Sequence, residues 1–565
     1  MDIEIIRGKD SAADLAVALN DLDLANIFTA ADPELSPSDA LAFIQRWYSA
    51  DASEINERLS LLSNLKGLTD SSELKKAIGT LTAIGRERDM LKLAGSRFTN
   101  VLFRWRLTAA YVTCVTTFCE LLDRPIKDLF GCPQTASSRL QTLQQYFSRL
   151  RQDKVFSDCQ EVLTQLSQLL PLPHYLTLGL NVREDGHPTD MGIISVSGSY
   201  DPLHPEAVEE KPLNPLLGGT DPNQPSLSLA PEFVYNRQLY GSHFDEYIDL
   251  SLEHQYRSKI QKADKLLEKV DISFSDQLLA LVEPLDFYRT GLLVSEAFEQ
   301  KGYKLCRPQP RDHTSLTITN ALYPDFILHH TGIQGNDLTL AKGSAVIITG
   351  PNHSGKTSYL KTIGQCYVLA QLGFFIPADS MVFEPVKRIF TLFSAGEDSS
   401  MTKSRMGIEV KKLTQILKQA TSSDLIFLNE PMTSTNPVEA VSICAQLTRH
   451  FIDKGITHLL VTHLYDIYYL LKAKLTPDQL THLESLITLS AYDEASGTMR
   501  HSYKLTRHEP LGNSYARETA AAFGITLDKM IADPVLKNQA SDYIEAHNID
   551  SIYEREKDNG LSDNH

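Results

Sequence analysis

The 565-residue sequence predicts a multidomain fold, mostly α-helical in its N-terminal part and α/β in its C-terminal part. Three observations predict this. Up to about residue 170, stretches such as Ser53 to Leu65 and Leu140 to Leu150 repeat apolar residues at three- and four-residue steps. From Tyr323 onward, short apolar runs (AVIITG, DLIFLNE, THLLVTH) alternate with helical stretches, the pattern of a largely parallel sheet covered by helices. A glycine-rich turn sits between one such run and a helical stretch, where an α/β domain places a phosphate-binding loop. The expected division is a helical region over 1–170, then a small β segment, linker and helices over 171–320. An α/β domain over 321–525 and a helical tail with a frayed end over 526–565 complete it.

Each element has its own signal. Leu107 to Cys119 is the most apolar N-terminal stretch. It is too short to span a bilayer and is flanked by Arg104, Arg106 and Glu120, so it reads as a buried helix. YLTLGLNV and MGIISVSG are β-formers with glycine punctuation and predict a strand pair. Residues 201–232 are dense in Pro, Gly, Ser and Asn and read as a linker. A second helical block follows, from about Glu232 to Lys301, including the charged helix HQYRSKIQKADKLLEKV.

Composition bounds the function. With 42% hydrophobic and 22% charged residues the chain is an ordinary globular one, not collagenous, disordered or a disulfide scaffold. A formal net charge of −17 excludes a wholly basic coat for nucleic acid, though not a local basic groove. The seven cysteines are odd in number and form no CxxC pair, which fits a reducing compartment. The N-terminus MDIEIIRGKD lacks the apolar core of a secretory signal, so the expected location is the cytoplasm, with no membrane partner.

The chemistry concentrates in the α/β part. Gly350-Pro351-Asn352-His353-Ser354-Gly355-Lys356-Thr357 matches GxxxxGK[ST] between the β-rich run Ser344 to Thr349 and the helical run Ser358 to Gln371. Backbone N–H groups of such a turn, at the head of a helix, cradle phosphate oxygens. Lys356 would neutralise the β- and γ-phosphates of ATP, and the Thr357 hydroxyl would ligate Mg²⁺. The strand Leu425 to Asn429 ends in Asn429-Glu430. An Asp is usual at the first of these positions; Asn429 can still reach a Mg²⁺-bound water but adds no charge. Glu430 is the candidate general base. Thr462-His463, after the strand Leu459 to Val461, places a histidine able to sense a γ-phosphate.

With these residues and several longer runs, residues 321–525 resemble the ATPase domain of the MutS family of DNA mismatch-repair proteins, a branch of the ABC-type ATPases. The runs are IITGPN (347–352), GFFIPA (373–378), RIFTLFSAGED (388–398, ending in Glu397 and Asp398) and YKLTRHEPLGNSYARETAAAFGI (503–525). In the last, Gly512, Ser514, Ala516 and Gly524 hold the family's places. The resemblance implies a head-to-tail dimer in which each nucleotide lies on one subunit's P-loop and is covered by the partner's signature region. It places Ser404, with Glu409 five residues on, at that signature; an N-cap is the other reading of Ser404. It also sets Phe326 against the adenine ring, where a core position is the other reading.

The resemblance has departures. After Glu430 the family usually reads Ile-Gly-Arg-Gly-Thr-Ser, and this chain has Pro431-Met-Thr-Ser-Thr435-Asn436, keeping only Thr435. Together with Asn429 this predicts slow hydrolysis, in a divergent homodimer or a heterodimer with a related subunit. The helical blocks, with Asp286 in LVEPLDFYRTGLL, resemble the family's core and lever more faintly. No mismatch-reading wedge domain and no C-terminal nuclease module are evident, so the implied DNA partner is distorted or branched rather than singly mismatched. The basic stretch Arg86 to Arg106, interleaved with Phe98, Phe103 and Trp105, is a candidate for contact with a DNA backbone. Two other readings remain: an ATP-dependent switch or scaffold acting on proteins, and a transport or translation ATPase, which LNEPMTSTNP echoes.

Overall fold

The computed structural model describes residues 15–127, 129, 135–169, 175–182, 188–197, 211–212, 256–271, 275–393, 405–493 and 498–510. Ser404, Glu397, Asp398, the positions Gly512 to Gly524, the tail 526–565 and all but two residues of the 201–232 linker lie outside them. Contacts divide the chain into two compact units, one within Glu57–Leu293 and one built from Asp10–Asn56 with Val294–His565. The expected boundary near residue 170 is therefore not where the contacts divide: residues 15–56 pack with the α/β part.

The first unit is built on the helices Ser71–Lys92 and Arg97–Leu122, which pack on each other, with Ser138–Gln152 and Lys154–Leu169 against the second of them. Asp70 caps the first helix by accepting from the Glu73 N–H, and Ser96 and Thr99 form a capping box on the second. Leu107 to Cys119 lies inside this second helix, with Leu107, Cys114, Val115 and Phe118 buried. No helix among the described residues is long and apolar enough to cross a membrane. The predicted strand pair is β1 (Tyr175–Val182) and β2 (Pro188–Ser197), antiparallel, with the two-residue β3 (Lys211–Pro212) beside β2.

Of the basic stretch, Arg88 and Arg104 are half-buried, while Arg86, Lys92, Arg97 and Arg106 are exposed, and several of its arginines are engaged by carboxylates. Arg97 and Arg104 both reach the Asp264 carboxylate, at 2.8 and 3.2 Å, and Arg88 pairs with Asp276. Phe98 and Trp105 are buried. Lys92 bonds Asp89 at 2.8 Å, while Arg106 is exposed. These arginines fasten Arg97–Leu122 to the helix Arg257–Leu267 and Ser71–Lys92 to the helix Ser275–Leu279.

The second unit holds two sheets. A four-stranded sheet runs β4 (Gln309–Pro310), β8 (Ser380–Phe383), β5 (Leu316–Ala321), β6 (Asn336–Leu340). The larger one has the order β13-β12-β7-β11-β10-β9, from β7 (Ala345–Thr349), β9 (Ile389–Phe393), β10 (Leu425–Asn429), β11 (Thr457–Val461), β12 (Leu483–Asp493) and β13 (Thr498–Arg507). All neighbours are parallel except β12 and β13. Every residue of β7 and β10 is buried, which explains their unbroken apolar runs: both faces are covered. Because β7, β11 and β10 run the same way, Thr349, Val461 and Asn429 bring their carboxyl ends to one edge, where α/β sheets bind ligands.

Residues 15–48 form the helices Ala16–Asp21, Leu24–Ala31 and Pro37–Trp47, laid against the helix Lys356–Leu372. Gly364 permits the approach, since a Cβ there would stand 2.6 Å from Leu22 Cδ2. Phe28, Phe43 and Phe374 form an aromatic triangle with centroids 5.7 to 6.4 Å apart. Gln371, fully buried, uses its whole amide. Its Oε1 accepts from Tyr48 Oη (3.0 Å) and Val386 N (3.1 Å), and its Nε2 donates to Ser49 O (2.7 Å) and Val386 O (2.9 Å).

Candidate functional site

The Gly350–Thr357 turn leaves β7 and enters Lys356–Leu372. Gly350 (φ 147°), His353 (φ 62°) and Gly355 (φ 91°) take conformations open mainly to glycine, and Gly355 is the N-cap. At Gly350 a Cβ would fall 1.9 Å from Thr488 Oγ1. Ser354 Oγ donates to Pro351 O (2.7 Å) and lies 2.5 Å from Thr488 Oγ1, which pins the turn to β12. Lys356 is 6% exposed and donates to the carbonyls of Gly350 (2.9 Å) and Pro351 (2.8 Å). Burial lowers its pKa, and the Glu430 carboxylate opposes that. Asn352 and His353 are exposed on the turn.

The end of β10 meets this turn. Thr357 Oγ1 donates to Asn429 Oδ1 at 2.9 Å, so the two candidate metal-shell residues are in direct contact. Glu430 follows at φ 49°, its N–H donating to Val461 O (2.9 Å). His463 Nδ1 stands 2.8 Å from Glu430 Oε2. The structure thus brings Lys356, Thr357, Asn429, Glu430 and His463 to one sheet edge.

The histidine is held above its ordinary pKa, first by its hydrogen bond to Glu430, while burial and Lys356 pull it down. Glu430 favours the charged imidazolium, so while the carboxylate is ionised the pair is present below the raised His463 pKa and is lost as pH rises through it. An NMR titration should place His463 above 6.5 in the native chain and lower in Glu430→Gln. No change in that variant would show that the carboxylate is not the cause.

A cavity of about 790 Å³ opens beside the turn, lined by His353, Lys356, Thr357 and Glu430 and by the rings of Tyr323, Phe326 and Tyr503. Phe326 sits on the short helix Pro324–Ile327, 43% exposed, stacked on His330 with centroids 4.0 Å apart. Tyr503 and Asn336 are cavity residues that no sequence signal marked. Asn336 Nδ2 donates to Tyr503 O (2.9 Å) and its Oδ1 accepts from Leu505 N (2.9 Å), tying β6 to β13. Neither belongs to a motif, and they lie 167 positions apart.

The segment after Glu430 differs from the glycine-rich pattern expected there. Met432 adopts φ 62° with 1% exposure, its side chain in the hydrophobic core. Ser434 Oγ donates to the buried Glu409 at 2.9 Å, joining this segment to the helix Arg405–Gln419.

Residues 346–534 match the family model described as MutS domain V. The chain is similar to the DNA mismatch repair protein MutS of Chlorobium phaeovibrioides, 32% identical over 206 residues, which are 34% of this chain and 22% of that protein. The MutS of Haloquadratum walsbyi is 39% identical over 181 residues, 32% of this chain and 19% of that protein. Human MutS protein homolog 4 is 34% identical over 259 residues, 44% of this chain and 27% of that protein. The matched part therefore spans between 19% and 27% of the length of these relatives.

Proposed function

We propose that the chain, whose residues 346–534 match MutS domain V, is a MutS-family ATP-binding protein and slow ATPase that dimerises through nucleotide and binds distorted or branched DNA in repair or recombination. The observation that carries the reading is the meeting of Lys356, Thr357, Asn429, Glu430 and His463 at one sheet edge beside the cavity. In this reading residues 321–525 are an ABC-type P-loop domain. Lys356 exchanges the Gly350 and Pro351 carbonyls for phosphate oxygens, a stronger charge-assisted partner. Tyr323, Phe326 and Tyr503 offer ring faces to the base.

The residues fit Mg²⁺. Thr357 Oγ1 and Asn429 Oδ1 are neighbouring oxygen donors, and this cation takes few protein ligands and keeps waters and phosphates. Bound there, it would neutralise charge on the phosphates. Glu430 takes the proton of the attacking water, with its carboxylate oriented by His463. The neutral Asn429 supplies no charge to this shell, which is why turnover is slow. Ser404 of one subunit reaches the γ-phosphate held by the other, in a homodimer or with a related subunit, in the cytoplasm. ATP binding closes the pair, and the helical unit carries that closure to DNA.

A second reading, a switch acting on protein partners, is favoured by the engagement of Arg88, Arg97 and Arg104 with Asp276 and Asp264. Fluorescence anisotropy separates the two. The panel is perfect duplex, mismatched duplex, single strand and four-way junction, each without nucleotide, with ADP and with a non-hydrolysable ATP analogue. We expect nucleotide-dependent binding to the junction that weakens with salt. ATP binding with no DNA binding at low salt would leave the protein-partner reading.

A further inference from the structure

The helix that carries Phe326 is four residues long, Pro324–Ile327, and has no side-chain cap. So short a helix has little stability of its own, and its position is set by what grips it. Its Pro324 and Ile327 are buried, and two hydrogen bonds reach it from outside. Asp325 N donates to Gln365 Oε1 (3.0 Å), and Asn26 Nδ2 donates to Asp325 Oδ2 (3.3 Å).

Gln365 lies on the same helix as Lys356, nine residues further along, and is fully buried. The other end of its amide, Nε2, donates to Leu22 O at 2.7 Å. One side chain thus joins the phosphate-turn helix, the Phe326 helix and the N-terminal segment. Two further bonds fasten that segment beside it: Asp23 pairs with Lys361, and Thr391 Oγ1 donates to Asp21 Oδ2 (2.7 Å).

We propose that residues 15–48, acting through Leu22, Asn26 and Gln365, position the aromatic wall of the cavity, so that this distant segment sets recognition of the nucleotide base while the phosphate turn stands without it. Gln365 is a positioning residue: it touches the wall's support, not the ligand. The inference rests on the nucleotide reading above, and the test separates the two.

Binding of ATP and of inorganic tripolyphosphate, both with Mg²⁺, would be measured by calorimetry on the full chain. Tripolyphosphate uses the turn and lacks a base. In Gln365→Met the Kd for ATP should rise about fivefold or more, as loss of a buried hydrogen bond implies, while that for tripolyphosphate stays within about twofold. Both constants rising together, or neither moving, would overturn the proposal, because a merely structural role has no reason to spare the phosphate end. The surface variant Asp23→Ala with Asn26→Ala reads the same ratio if Gln365→Met does not fold. A native chain that binds neither ligand overturns the nucleotide reading and this inference with it. A native chain that prefers ATP, with a ratio unmoved in the variants, overturns this inference alone.

Discussion

Replacing Glu430 by Gln should lower ATP hydrolysis by about 100-fold or more, the usual contribution of a positioned general base, while ATP binding changes little. The amide keeps the size of the side chain that stands 2.8 Å from His463 in the native chain, and loses the capacity to take a proton together with the charge that holds the His463 pKa up. Single-turnover hydrolysis and equilibrium binding on the same preparation separate the two effects. The backbone gives a control. Glu430 is at φ 49° with its N–H committed to Val461 O, and Gln accepts that conformation as readily as Glu. Hydrolysis persisting at the native rate would remove Glu430 from the role of base.

Gln371→Leu should destabilise the second unit by about 2–3 kcal/mol. It strips partners from Ser49 O, which is buried, and from Val386 N, which is half-buried, and each buried polar group so orphaned costs about 1–3 kcal/mol. Tyr48→Phe should cost less, about 1 kcal/mol, since Gln371 keeps its bonds to Val386 and Ser49. The chain has two tryptophans, and they fall in different units: Trp47 in the second and Trp105 in the first. Denaturant unfolding followed by Trp47 in a Trp105→Phe background reads the second unit by itself. A loss below about 1 kcal/mol in Gln371→Leu would mean that the amide's bonds are replaced on relaxation.

The parts of the fold that could be read beforehand are those where one local pattern decides the outcome. β7 and β10 are buried on both faces, so their sequences are unbroken apolar runs, and each ends at a residue whose type is special: Gly350, and Asn429 with Glu430. The strand pair β1 and β2 and the helix around Leu107 to Cys119 were legible for the same reason. Other features depend on contacts across the chain. Residues 15–56 have ordinary helical periodicity, which says that they bury one face but not against what. Arg97 and Arg104 read as a basic surface until Asp264, 167 and 160 positions away, is placed beside them. Tyr503 reaches the cavity on β13, which Asn336, Lys504 and Arg507 tie to β6 and the residue before it, and none of these residue types announces that.

The bond from Tyr48 to Gln371 joins positions 323 residues apart. On a ribosome adding about 5–20 residues per second, the N-terminal helices emerge roughly 16–65 s before the surface they cover exists. During that interval Leu22, Phe28 and Ile44, all fully buried in the finished molecule, have no native partner on the α/β side. The second unit therefore cannot complete itself in the order of synthesis. Until its last piece is made these apolar side chains stay open to other contacts, and the length of that interval is set by the speed of translation.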